Sequence, residues 1–219
     1  RGKRQEARGK MNSENSNYSN NKLPFGWSWV LLSELCIQDR KIIESGSEIA
    51  ANLPYLSLEH IESNTGRILR EPDLSIKDEG KSTTYAFDSR NILYGKLRPY
   101  LNKVAVPNFA GRCTTELIPL LPLGNVSRRY LAWLFRRRET VEFAMKEKTG
   151  SRMPRANLKK LLTLRVAIPN SWEEQERLAE AIEWQMSNVA KAKKACLEQL
   201  ELIDELSECI LNDFPLKVN

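Results

Sequence analysis

Apolar positions follow two regimes along this chain. From Leu23 to about residue 122 they come in short pieces, Tyr55-Leu56-Ser57-Leu58, Thr84-Tyr85-Ala86-Phe87, Asn91-Ile92-Leu93-Tyr94 and Val104-Ala105-Val106, cut by Gly, Pro, Asn and Asp. Pieces this short and this often interrupted predict a β-rich region with few helices. It opens at Leu23-Pro24-Phe25-Gly26-Trp27, a turn that leads into a strand or packing edge through Trp29 and Val30. After Ser127 the period lengthens. Leu131, Leu134, Phe135, Val141 and Met145 recur on one side, and Arg128, Arg129, Arg136, Arg137 and Arg138 fall mostly on the others. That pattern predicts one amphipathic helix with a basic outer face, capped by Ser127 and running to about Lys148. Gly150-Ser151 breaks it, a short helix around Ala156 to Leu162 follows, and Leu164 to Ile168 reads as a last strand before Pro169.

The last element has the strongest signal. Ser171-Trp172-Glu173-Glu174 fits a capping box, with the Ser171 hydroxyl on the Glu174 amide and the Glu174 carboxylate on the Ser171 amide. No Pro or Gly follows until after Asn212, so the helix should be about 60 Å long at 1.5 Å per residue. Within it Ile182, Val189, Cys196, Ile203 and Ile210 recur every seven residues, with Met186, Leu200 and Phe214 four residues on from members of that row. Lys193 and Ser207 occupy the other two complementary positions. A heptad seam on a helix this long implies a partner helix, and polar residues in a seam fix its register at some cost in stability. The alternative is a helix lying along its own domain. The pattern as a whole predicts an α+β chain: a tail over residues 1–22, a mixed β-rich domain over 23–170, a coiled-coil helix over 171–212 and a short tail over 213–219.

Composition narrows this modestly. The 219 residues suit one core and an appendage rather than two full domains. Cys36, Cys113, Cys196 and Cys209 form no C-x-x-C pair and His60 is the single histidine, so neither a zinc site nor a disulfide framework is signalled. No stretch reaches the roughly 18 to 20 apolar residues of a membrane span, and the expectation is a soluble, cytoplasmic protein. Residues 1–10 read either as the end of a longer chain or as an added segment ahead of a native start at Met11. The formal charge of +6 is uneven: residues 90–160 carry +12 and residues 1–22 carry +4, while the remaining segments are acidic. A basic middle between acidic flanks suggests a face for nucleic acid, against the alternative of an ordinary solvated surface.

Candidate chemistry is sparse. The lone His60 lacks the context of a triad. Asp73, Glu79 and Lys81 superficially match the carboxylate-carboxylate-lysine set of a metal-dependent nuclease. The polar, turn-like residues between them favour a loop over the paired strands such a site needs. Two basic segments remain. In Tyr94-Gly95-Lys96-Leu97-Arg98-Pro99-Tyr100-Leu101-Asn102-Lys103, the cations Lys96, Arg98 and Lys103 suit phosphates, Arg98 suits a guanine edge, and Tyr100 adds an aromatic. A packed strand and loop would read the same way. Thr149-Gly150-Ser151-Arg152-Met153-Pro154-Arg155 gathers hydroxyl, amide and guanidinium donors that would cradle a phosphate, or is simply the turn that ends a helix.

The order of these signals resembles a known family. Leu23-Pro24-Phe25-Gly26-Trp27, Ile92-Leu93-Tyr94-Gly95-Lys96-Leu97-Arg98-Pro99-Tyr100, Thr149-Gly150-Ser151-Arg152-Met153-Pro154, and Glu174-Gln175-Glu176-Arg177-Leu178 opening a long helix are similar to the specificity subunits of type I restriction-modification enzymes. The resemblance covers about residues 23–212. It implies a DNA target-recognition domain followed by a spacer helix, about half of a subunit that normally carries two of each with the helices antiparallel. It implies duplex DNA, methylation subunits and restriction subunits as partners. It implies no cofactor in this chain, since S-adenosylmethionine, ATP and Mg belong to those partners. Nor does the chain carry a methylation loop with an Asn/Asp-Pro-Pro-aromatic turn, or a phosphate-binding G-x-x-x-x-G-K-[ST] loop, so no catalytic role is expected. The candidate DNA contacts are Lys96, Arg98, Tyr100, Lys103, Ser151, Arg152 and Arg155, with Arg67 and Arg70 as further candidates in the stretch expected to read sequence. The candidate dimer seam is Ile182, Met186, Val189, Cys196, Leu200, Ile203 and Ile210. The rival from another class is a coiled-coil scaffold whose basic face binds an acidic protein.

Overall fold

Among the described residues, ten short strands carry the globular part, and none of them exceeds six residues. In the computed structural model, which describes residues 23–48, 52–69 and 82–213, they run β1 (Trp27–Leu31), β2 (Cys36–Gln38), β3 (Lys41–Ile43), β4 (Tyr55–Leu56), β5 (Thr84–Phe87), β6 (Ile92–Gly95), β7 (Val104–Ala105), β8 (Gly111–Thr114), β9 (Leu117–Pro122) and β10 (Arg165–Pro169). Among the described residues the α-helices with defined bounds are α1 (Leu32–Leu35), α2 (Arg128–Arg136), α3 (Arg138–Lys146), α4 (Leu158–Leu161) and α5 (Trp172–Asp213). One four-stranded sheet is ordered β2-β9-β6-β7 and a second β3-β5-β8-β4, with β4 and β8 parallel and the other pairs antiparallel. The fold is α+β, with a mixed β-rich head and a long C-terminal helix.

Strand alternation explains how the layers stack. Successive side chains on a strand point to opposite faces. On β6, Ile92 and Tyr94 enter a core built with Leu131, Leu134 and Phe135 of α2 and Leu158 and Leu161 of α4. Leu93 between them enters a second core with Leu56, Phe87, Cys113 and Leu117. The first sheet therefore lies between the helices and the second sheet. The Tyr94 and Phe135 rings meet 5.3 Å apart across the first core.

The third sheet is the pair β1-β10, in register from Trp27 opposite Pro169 to Leu31 opposite Arg165. It brings the start and end of the head together, so the chain leaves at one corner directly into α5.

Two expectations need correction. The single helix foreseen from Ser127 to Lys148 is two helices, because Arg137 adopts φ −56° and ψ 143°. Side chains take up carbonyls at the break: Thr140 Oγ1 donates to Leu134 O at 2.7 Å and Asn102 Nδ2 donates to Arg136 O at 2.9 Å. Neither Pro nor Gly marks the place in the sequence. The capping box at the head of α5 is half formed. Glu174 N donates to Ser171 Oγ at 3.2 Å, but the Glu174 carboxylate accepts from Arg177 instead of returning to the Ser171 amide.

The root of α5 is anchored by Gln175, which is buried. Its amide donates to Pro169 O and its carbonyl accepts from Ser127 N, both at 2.9 Å. Ala179 completes the contact, and from Val189 to Leu211 every residue is exposed.

Candidate nucleic-acid interface

The two basic segments, about fifty residues apart in sequence, form one surface. Leu97 and Arg155 pair as an antiparallel bridge, Arg98 N donates to Pro154 O at 2.7 Å, and Ala156 N donates to Lys96 O at 2.8 Å. The turn carrying Arg67 joins them through Asn64 N, which donates to Asn102 O at 3.1 Å. Gly66 makes that approach possible: at φ +70°, a Cβ there would stand 1.7 Å from Val104 O.

The backbone of the central loop is unusual. Arg98 and Asn102 flank the 3-10 turn Pro99–Leu101, and both have φ of 51°, a region costly for residues other than glycine. The Asn102 amide earns its conformation by bonding Arg136 O. Arg98 is exposed, and its backbone is tied to Pro154.

The candidate side chains differ in how free they are. Arg98, Ser151 and Arg152 are exposed and Tyr100 is half exposed. Lys96 and Arg155 converge on the carboxylate of Glu116, at the turn between β8 and β9. Arg155 Nε donates to its two oxygens at 3.0 and 3.2 Å, Arg155 Nη2 at 3.0 Å, and Lys96 Nζ lies 3.8 Å away. Lys103 turns inward, donating to Leu58 O at 2.7 Å, and burial lowers its pKa. Arg67 pairs with Glu62 at 3.2 Å. Arg70, and the nuclease-like trio Asp73, Glu79 and Lys81, lie outside the described residues.

The five arginines of α2, α3 and the break between them do not make the open basic face their spacing suggested. Arg128 donates to the carbonyls of Ser89 and Pro107, and Arg129 to Glu176 and Glu183 of α5. Arg137 pairs with Glu139, and Arg138 with Glu142. Arg136 stacks 4.4 Å over the Trp133 ring and donates to Val104 O, and burial pulls its pKa down to about 10. Charge counted along a sequence cannot see these partners. Glu116 was also missed, although it is the single carboxylate between Arg90 and Ser127 in a basic stretch.

His60 accepts at Nδ1 from the Ser57 amide at 3.1 Å, a local structural bond. Among the described residues no group of three His, Cys, Asp or Glu is placed to hold a metal, and no helix is long and apolar enough to cross a membrane.

At the far end of the molecule, the heptad row on α5 is open to solvent. Val189, Leu200, Ile203 and Ile210 are each more than half exposed and Cys196 is exposed, while Ile182 and Met186, nearer the head, are partly covered. Phe214 lies outside the described residues.

A head of two four-stranded sheets, closed by an antiparallel strand pair at the root of a free-standing helix, matches in fold one half of a type I specificity subunit. Over 91% of its length the chain matches 52% of a chain from a structure of the type I R-M system, with a TM-score of 0.74 and 20% identity. Over 92% it matches 52% of the HsdS subunit from Thermoanaerobacter tengcongensis, with a TM-score of 0.66 and 20% identity. In sequence it is 25% identical over 195 residues to the type I restriction enzyme EcoDI specificity subunit of Escherichia coli, covering 86% of this chain and 41% of that one. The chain thus spans about half the length of the relatives it matches. No protein-family model matches it.

Proposed function

We propose that this chain is a DNA-reading half of a type I specificity subunit, a head that recognises one part of a split target and a rod that sets its distance from a second head. The observation that carries the reading is the matched extent: nearly the whole chain aligns, in fold and in sequence, with about half of specificity subunits.

The chain's contribution is positioning. Arg98, Arg152 and Ser151 offer exposed donors to phosphates and base edges on the surface where the two basic loops meet, and Tyr100 adds an aromatic beside them. The exposed face of α5 takes the α5 of a second copy, or of a second half, and the pairing of two heads on one rod fits a site read in two parts. Methylation subunits then act on an adenine within the bound site and restriction subunits join the assembly. S-adenosylmethionine, ATP and Mg serve those partners, and this chain supplies no reacting group. Half-exposed Trp172 lines a groove of about 530 Å³ with Arg90, Pro122 and Arg128 at the root of α5, a place suited to a methylation subunit.

The test is co-purification with the methylation subunits followed by mapping of methylated adenines. A two-part motif that changes when the head is exchanged is the expected result. Methylation at sites independent of this chain, or no association at all, would sink the reading.

A further inference from the structure

Glu116 is the residue on which the two basic loops converge. It sits in the turn between β8 and β9, and its carboxylate is about three-quarters buried between Lys96 and Arg155. The bonds from Arg155 use Nε and Nη2, so one edge of the guanidinium is fixed and Nη1 takes no part in them. The loops are joined independently of this carboxylate. Lys96 N donates to the backbone oxygen of Glu116 at 2.9 Å, and Leu97 pairs with Arg155 through the main chain. A carboxylate that takes no part in these main-chain links, placed between two cations on the proposed DNA face, has a role beyond joining the loops to account for.

We propose that Glu116 is a positioning residue for sequence discrimination, holding Arg155 and Lys96 in one geometry and withholding their charge from non-target phosphate. The proposal rests on the DNA-reading function above. The physical argument has two parts. Phosphate attraction is independent of sequence, so each cation neutralised within the protein lowers affinity for every duplex and leaves base contacts a larger share of the binding. A guanidinium held by its edge keeps one orientation, and recognition of a base edge depends on orientation far more than attraction to a phosphate does.

The test uses the complex with its methylation subunits and two duplexes of equal length, one carrying the target defined by methylation mapping and one with that target scrambled. Glu116→Gln keeps the side-chain shape and removes the charge. It is expected to bind the scrambled duplex more tightly, to steepen the log–log salt slope by about one, and to lower the ratio of target to scrambled affinity by roughly five-fold or more. Glu116→Asp keeps the charge and is expected to keep the wild-type salt slope. Unchanged slope and ratio in Glu116→Gln, a proportional loss of affinity for both duplexes, or an equal steepening in Glu116→Asp would each overturn the proposal. A wild-type complex that does not distinguish the two duplexes would overturn the DNA-reading function itself, a result separable from failure of Glu116 alone.

Discussion

Arg129 of α2 and Glu183 of α5 are joined by two hydrogen bonds, Nη2 to Oε2 at 2.5 Å and Nε to Oε1 at 3.2 Å. The remaining nitrogen, Nη1, donates to Glu176 at 3.0 Å. Seven residues separate the two carboxylates, which places them two turns apart on one side of the helix. One guanidinium thus spans two turns at the root of the rod, either side of buried Ala179, and ties it to the head. The two carboxylates raise the Arg129 pKa, so the guanidinium stays charged through any ordinary pH. Arg129→Ala is expected to cost about 1 kcal/mol in urea unfolding, the range for a partly exposed ion-pair network. It should also speed hydrogen exchange over residues 176–183. Exchange no faster than wild type there would show that Gln175 and Ala179 suffice to seat the rod.

The seam of α5 makes a prediction about direction. If a second copy pairs antiparallel with its whole seam engaged, Leu200 faces Cys196 of its twin and Lys193 faces Ile203. A parallel pair would instead set Lys193 against Lys193. The apolar opposition is the more stable, because like charges facing each other across a seam repel. In a Cys209→Ser background, Leu200→Cys should oxidise readily to a dimer linked between positions 196 and 200, read by peptide mass spectrometry. Links joining 196 to 196 and 200 to 200 would indicate parallel pairing. Ile203→Asp should give monomers by light scattering; a persistent dimer would place the interface elsewhere.

On the basic surface, Arg98 and Arg152 are the more exposed cations, whereas Lys96 and Arg155 share Glu116. The double variant Arg98→Ala/Arg152→Ala is expected to weaken binding to all duplexes and to flatten the log–log salt slope by about one to two, the loss of one phosphate contact per residue. Lys96→Ala should flatten it less. Filter-binding titrations over a range of salt read both. A slope indifferent to Arg98 and Arg152 would remove this face from the DNA contact.

Gly66→Ala tests the packing that brings the Arg67 turn to that surface. A Cβ there would meet Val104 O at 1.7 Å, at a φ of +70° that alanine rarely adopts. A loss of at least about 2 kcal/mol is expected, combining backbone strain with displacement of β7. Thermal or urea unfolding checks it. A variant as stable as wild type would mean the turn can lift away from the head.

Asp88 gives a pH prediction. Hydrogen bonds from Arg90 draw its pKa down from 3.8 to about 2. Its folded pKa lies below its unfolded value, so its stabilisation is present above about pH 4 and is lost as the pH falls toward 2. The side chain is one-third exposed, so solvent screening holds the effect to under about 1 kcal/mol. Asp88→Asn should lower stability at pH 7 by that amount and reduce the fall in stability between pH 4 and 2. An unchanged acid limb would show that Asp88 makes no such contribution.

Local patterning determined much of this protein. The alternation at Ile92-Leu93-Tyr94 sends Ile92 and Tyr94 into one core and Leu93 into the other, the Ser127 hydroxyl caps α2 through the Tyr130 amide, and the unbroken run after Ser171 makes the long helix. Each follows from neighbours in sequence: period, cap and absence of breakers. The order of the motifs also carried the family resemblance. What only the tertiary structure decided depends on residues far apart along the chain. The break at Arg137 accompanies a hydrogen bond from Asn102, and the arginines of α2 lose their open face to Glu176, Glu183 and distant carbonyls. The two basic loops meet through bonds between Lys96, Arg98 and residues 154–156, with Glu116 between them. Periodicity reports which face a side chain takes on its own element. It is silent on what another element brings to that face, and the charge left free at the candidate interface is fixed by that second fact.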